Sequence, residues 1–137
     1  MRRVARRQVI LLFEPTMSDQ LWLFDYFPES RSLPSEVSVP RVEKVRDYLN
    51  VQFVPPLLIP ADCTDGFAGA YWRRPEAYLD PAVRDGISSQ AQLSPEAAAR
   101  GVSRLEQDIT SGRRDSHYGF LRSLPEYDLG YRLVIAG

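Results

Sequence analysis

The first strongly apolar stretch, Val9 to Phe13, is a continuous run rather than an alternation, and Glu14-Pro15 stops it. A short unbroken run between turn residues predicts a strand buried on both faces. Leu21, Trp22, Leu23 and Phe24 then form a helix that Ser18 can cap and Pro28 ends. Pro40 sits in the first turn of another, with Val42, Val45 and Leu49 on one face. A second strand follows over Val51 to Ile59, and it contains Pro55-Pro56. Proline cannot donate to a ladder, so this strand lies at a sheet edge or breaks at a bulge.

From Ala61 to Arg122 the pattern is helical. Asp65 to Trp72 predicts a short helix, and Arg74-Pro75 and Asp80-Pro81 place proline where a helix begins. Ser94-Pro95-Glu96 opens the strongest segment, with Ala98, Val102, Leu105 and Ile109 on its apolar side and Gly112 as its stop. The last element, Leu129 to Ile135, reads as a strand with Tyr131, Leu133 and Ile135 on one face and Arg132 and Val134 on the other. Three strands and a helical stretch of about residues 61–122 make a single α/β domain over residues 1–137.

Composition narrows the function classes. With 17 Lys and Arg against 18 Asp and Glu, the net charge is −1, without the excess positive charge of a nucleic-acid binder. Met1 to Arg7 is basic, but the apolar run behind it is too short for a signal sequence or a membrane span, so no membrane partner is expected. Cys63, the single cysteine, excludes an internal disulfide and fits a cytoplasmic protein. No glycine precedes Gly66. A phosphate or adenosine cradle of the usual α/β type needs a glycine turn after its strand, and the stretch before Gly66 contains none.

The candidate chemistry is sparse, and no catalytic residue is assigned. Cys63 lies between Asp62 and Asp65, whose charges raise a thiol pKa rather than lower it, which favours a structural thiol. His117 is the sole histidine and sits in the polar stretch Arg113 to His117, where a surface role is favoured; metal ligation by a histidine cluster is excluded. Asp62 and Asp65 are candidates to orient an amine or hydroxyl of a ligand, and they equally suit loop and cap positions. Tyr71, Trp72, Arg73 and Arg74 combine two aromatic rings with two guanidinium groups, a surface able to pair with carboxylate or phosphate and to stack a planar group. The competing reading makes Trp72 an anchor and the arginines solvated. Tyr26, with Phe24 and Phe27, either lines the same pocket or belongs to the core.

Several segments together carry a family resemblance. Val9-Ile10-Leu11-Leu12-Phe13-Glu14-Pro15, Asp25-Tyr26-Phe27-Pro28, Pro60-Ala61-Asp62-Cys63-Thr64-Asp65-Gly66-Phe67, Tyr71-Trp72-Arg73-Arg74-Pro75-Glu76 and Leu129-Gly130-Tyr131-Arg132-Leu133-Val134 resemble the C-terminal half of a class I SAM-dependent methyltransferase. The resemblance implies a partial Rossmann-like fold: a three-stranded mixed sheet in the order first, third, second, with the third strand antiparallel and a helical lid inserted before it. It implies methyl transfer by in-line displacement, with S-adenosylmethionine bound by a preceding half that these residues do not include. No cofactor is therefore expected for the isolated chain. Tyr26, Asp62, Asp65, Tyr71, Trp72, Arg73 and Arg74 become candidates for binding a small-molecule acceptor. The first strand, left without its neighbour, is expected to pair with the absent half or with a second copy. The alternative function is a non-catalytic binding module derived from such an enzyme.

Overall fold

The computed structural model describes residues 5–137; of the basic lead, Met1 to Val4 lie outside the described residues and Ala5 to Arg7 are exposed. Among the described residues there are five strands: β1 (Gln8–Phe13), β2 (Val51–Phe53), β3 (Ile59–Pro60), β4 (Glu126–Tyr127) and β5 (Tyr131–Ala136). The helices are α1 (Leu23–Tyr26), α2 (Pro34–Val37), α3 (Val42–Arg46), α4 (Pro81–Asp85), α5 (Ser88–Ala91), α6 (Pro95–Thr110) and α7 (Arg113–Tyr118). All but α6 span two turns or fewer, too short to persist without tertiary packing.

The main sheet runs β1-β5-β2, and both ladders are antiparallel. The last strand lies between the other two and runs antiparallel to both, so the sheet is antiparallel rather than mixed. The predicted strand Val51 to Ile59 is split in two. Its register shifts between Val51 and Phe53, and beyond β2 the chain follows β5 through groups that proline still offers. The Pro55 carbonyl accepts from the Leu133 amide at 3.0 Å, and the Leu57 amide donates to the Tyr131 carbonyl at 2.8 Å. The chain then departs as β3, which pairs with β4 in a separate two-stranded sheet.

The two faces of the main sheet differ. Leu12 and Val134 pack against Val42 of α3 on one side. On the other, Val9 lies opposite Ile135 and Leu11 opposite Leu133, with Phe53 across from Ile135 as well. Here Val9 is 66% exposed, Leu11 56% and Phe53 64%. β1 is thus buried on one face, not both, and among the described residues it pairs only with β5.

Two local expectations also change. Ser18 does not cap α1: the Glu14 carboxylate caps a 3₁₀ turn over Pro15–Gln20, and Trp22 stands at the N-cap of α1. Asp65 to Trp72 forms turns instead of a helix. The Asp65 carboxylate takes the neighbouring Gly66 amide at 2.8 Å. The Tyr78 hydroxyl donates to the Ala68 carbonyl at 2.6 Å and accepts from the Tyr71 amide at 3.2 Å, so a distant side chain satisfies groups that a helix would pair internally.

α6 begins where Ser94 accepts from the Ala97 amide at 3.2 Å and ends before Gly112, whose φ of 76° lies in the left-handed region. Its buried stripe is Ala97, Gly101 and Leu105; of the predicted Ala98, Val102, Leu105 and Ile109, Leu105 is in that stripe and Val102 and Ile109 flank it against the core, so the face is turned slightly toward Ala97 and Gly101. The cause is close approach. A Cβ at Gly101 would sit 2.3 Å from the Phe27 ring and 2.9 Å from the Tyr26 carbonyl oxygen, so the helix turns its glycine toward the end of α1.

The principal core joins these helices through aromatic side chains. Trp22, Phe27, Trp72 and Tyr78 are fully buried, and so is Arg114 of α7. Trp22 Nε1 donates to the Trp72 carbonyl at 2.8 Å, and Trp72 Nε1 donates to the Ile59 carbonyl at 3.1 Å. The Arg114 guanidinium lies 4.7 Å from the centre of the Trp22 ring and pairs with Asp115 at 3.0 Å. Two phenols close the edge of this core: Tyr26 donates to Asp108 at 3.1 Å, and Tyr118 donates to Asp25.

Two predictions follow from this packing. Gly101→Ala should destabilise the fold by about 1–3 kcal/mol through overpacking, although the same change in an open helix stabilises by about 1 kcal/mol; denaturant unfolding of the two proteins measures the sign. The second concerns alkaline pH. Burial, reinforced by the Asp108 and Asp25 carboxylates, pushes the phenols of Tyr26 and Tyr118 up to about 12. Unfolded tyrosine ionises near about pH 10, so the folded state holds more protons above that value. Stability should be complete below about pH 10 and fall as pH rises through 12. Tyr26→Phe and Tyr118→Phe should each flatten that fall in urea melts taken across the range.

Candidate functional site

The turn after Trp72 places its neighbours at the surface. Trp72 and Pro75 are buried on either side of Arg73 and Arg74, which are half-buried, and the Arg74 amide closes a turn on the Tyr71 carbonyl at 2.8 Å. The chain can only present these two side chains outward, toward the loop that follows β3. There they meet Asp62, and Arg122 arrives from the 3₁₀ turn Gly119–Ser123. Ala61, Asp62, Arg73, Arg74 and Arg122 line a depression of about 470 Å³.

The charges in this depression are unequally satisfied. Arg122 is held by Glu76 at 2.7 Å and Asp115 at 2.8 Å. Burial raises the Glu76 and Asp115 carboxyls, but the hydrogen bonds from Arg122, joined at Asp115 by Arg114, outweigh it and keep both below the ordinary carboxylate range. Their attraction in turn raises the Arg122 guanidinium. Arg74 donates to the Cys63 carbonyl and lies 4.9 Å from the centre of the Tyr71 ring. Its Nε is buried and has no hydrogen-bond partner among the described residues. Arg73 and Asp62 make no ion pair among the described residues.

Of the seven predicted site residues, the structure gathers Asp62, Arg73 and Arg74 around one depression, with Tyr71 stacked beneath Arg74. The other three stand elsewhere. Trp72 is fully buried and anchors the block instead of facing a ligand. Tyr26 is buried at the α1–α6 contact, with Arg104 over its ring. Asp65 is exposed, with its carboxylate turned to the Gly66 amide. Arg122 completes the depression, held there by Glu76, and sequence alone missed both because their pairing spans 46 residues. Arg114 was missed for the opposite reason: it sits in a run of polar residues, Arg113 to His117, and yet is fully buried. His117 is exposed, its ring Nδ1 3.0 Å from the Arg113 carbonyl oxygen. Cys63 is half-buried and contributes its backbone carbonyl.

Among the described residues no three His, Cys, Asp or Glu side chains converge as a metal site. No helix there is long and apolar enough to cross a membrane. The loop leaving β1 carries an acidic side chain in place of a glycine turn. Glu14 and Pro15 occupy the turn, and the Glu14 carboxylate already accepts from Thr16 Oγ1 at 3.2 Å, where a dinucleotide fold would offer free amides to an anion.

No family model matches the sequence, and no curated protein matches it. A solved structure does match: that of a proposed methyltransferase from an antibiotic biosynthesis pathway of Anabaena variabilis ATCC 29413, with a TM-score of 0.83 and 34% sequence identity. The match covers 96% of this chain and 54% of that one. The present chain therefore spans about half the length of its structural relative, and over that half it shares a methyltransferase-like fold.

Proposed function

We propose that these residues form the acceptor-side part of a SAM-dependent methyltransferase, and that methyl transfer requires a SAM-binding segment which they do not supply. The observation carrying this reading is the asymmetry of the match, nearly the whole of this chain against about half of a methyltransferase-like one. On this reading such a segment docks on the open side of the main sheet. β1 has a free edge among the described residues, and Val9, Leu11 and Phe53 present an apolar surface next to it. Such an edge and face call for a covering strand and helix.

The test joins this chain to the portion of the Anabaena variabilis protein outside the match, by fusion or co-expression, and measures SAM binding by calorimetry. The chain alone should show no saturable binding at micromolar concentration, and the joined protein should bind at one site. One-site binding by the chain alone would overturn the need for a second segment. A joined protein that folds and binds no SAM would instead favour a non-catalytic module. Leu11→Arg separates docking from folding: it should leave the isolated chain within about 0.5 kcal/mol of its original stability and lower that of the joined protein by more than about 1 kcal/mol. Equal losses in both would show that this face is packed within the chain itself.

A further inference from the structure

We infer that the depression between Arg73, Arg74 and Arg122 is an oxyanion-binding site that grips the carboxylate or phosphate of a small molecule. Three arginines and one acidic residue, Asp62, line it. Arg122 is neutralised by Glu76 and Asp115, which leaves it fixed in position as one wall of the site. Arg73 and Arg74 have no carboxylate partner among the described residues, so the local balance is two uncompensated cations against Asp62.

The block is held in place before any ligand arrives. Trp72 and Pro75 are buried at its two ends, Tyr71 stacks against the Arg74 guanidinium, and the Cys63 carbonyl accepts from it. The Arg74 Nε is buried without a partner among the described residues, so the guanidinium nitrogens, not Nε, are the groups offered to an anion. A planar guanidinium fork matches two oxygens of a carboxylate or phosphate at once, which a lysine ammonium does not. Asp62, on the rim, adds an acceptor for an amine or hydroxyl beside the anionic group. The ligand class is thus a small hydroxy or amino acid, or a phosphate ester. Calling that ligand the methyl acceptor rests on the proposed function; the oxyanion site itself does not.

The experiment titrates the full chain by calorimetry at low, matched ionic strength, with sodium chloride as control. Inorganic phosphate, acetate, benzoate, glycolate and glycine are the probes. At least one oxyanion should bind saturably, and the phosphate and carboxylate arms distinguish the two chemistries. Arg73→Ala should weaken that binding about tenfold or more, the loss of a charge-assisted contact, with an unchanged melting temperature. Arg73→Lys should recover only part of it. Asp62→Asn should spare acetate and phosphate and weaken glycine or glycolate. Arg74→Lys, which retains charge but loses the fork, guards against a folding failure in Arg74→Ala. Wild type that binds no probe beyond the chloride control, or an Arg73→Ala protein that binds as well as wild type, would overturn the site. No arm of this titration contains SAM, so oxyanion binding and the methyltransferase reading stand or fall separately.

Discussion

One residue, Trp72, joins three parts of this molecule through its carbonyl and its indole. Its carbonyl accepts from the Trp22 indole at 2.8 Å and from Arg114 at 3.4 Å, while the Trp72 indole reaches on to the Ile59 carbonyl at 3.1 Å. The first part is the chain just after β1, the second is the helical stretch ending in α7, and the third is the short sheet of β3 and β4. None of the short helices involved would persist alone. A buried carbonyl with two donors, beneath an arginine stacked on a tryptophan, provides the directional contact that the apolar core lacks. A buried guanidinium is costly unless it is paired, and Arg114 is paired with Asp115 as well as stacked on Trp22.

The same junction sets the chemistry at the surface. Fixing Trp72 fixes the next two residues, because the turn from Tyr71 to Arg74 leaves no freedom between the anchor and Pro75. Asp115, whose partner Arg114 lies in the core, also binds Arg122, and Arg122 binds Glu76. A ladder of alternating charges thus runs from the buried junction to the wall of the depression. The positions of Arg73, Arg74 and Arg122 are therefore consequences of core packing, the arrangement expected of a preorganised binding site.

Much of this was legible in the chain, and the misses have physical causes. Prolines located the edge character of the second strand, because a missing N–H is a property of the residue itself, and they marked the starts at Pro75, Pro81 and Pro95. Ser94 and Gly112 bounded α6 correctly for the same local reason. Most of the face of α6 was legible, since Leu105 is buried and Val102 and Ile109 pack against the core, but Gly101 contributes nothing to a hydrophobic count and yet marks the closest approach. The burial of β1 on both faces was inferred from an apolar run; that run measures hydrophobicity, and whether a partner covers the second face is not encoded in it. Arg73 and Arg74 were identified as a unit from their neighbours. Arg122, Glu76 and Arg114 depended on contacts between distant segments, which periodicity cannot register.

The central claim is that Trp22 and Arg114 act together on the Trp72 carbonyl, and a double-mutant cycle of Trp22→Phe and Arg114→Met measures it most directly. Each single change alters one partner of the shared junction, and chemical denaturation gives the stability of all four proteins. The account predicts a coupling of about 1–2 kcal/mol between the two positions. Effects that add to within about 0.3 kcal/mol would contradict it, showing that tryptophan and arginine are buried side by side without sharing the junction.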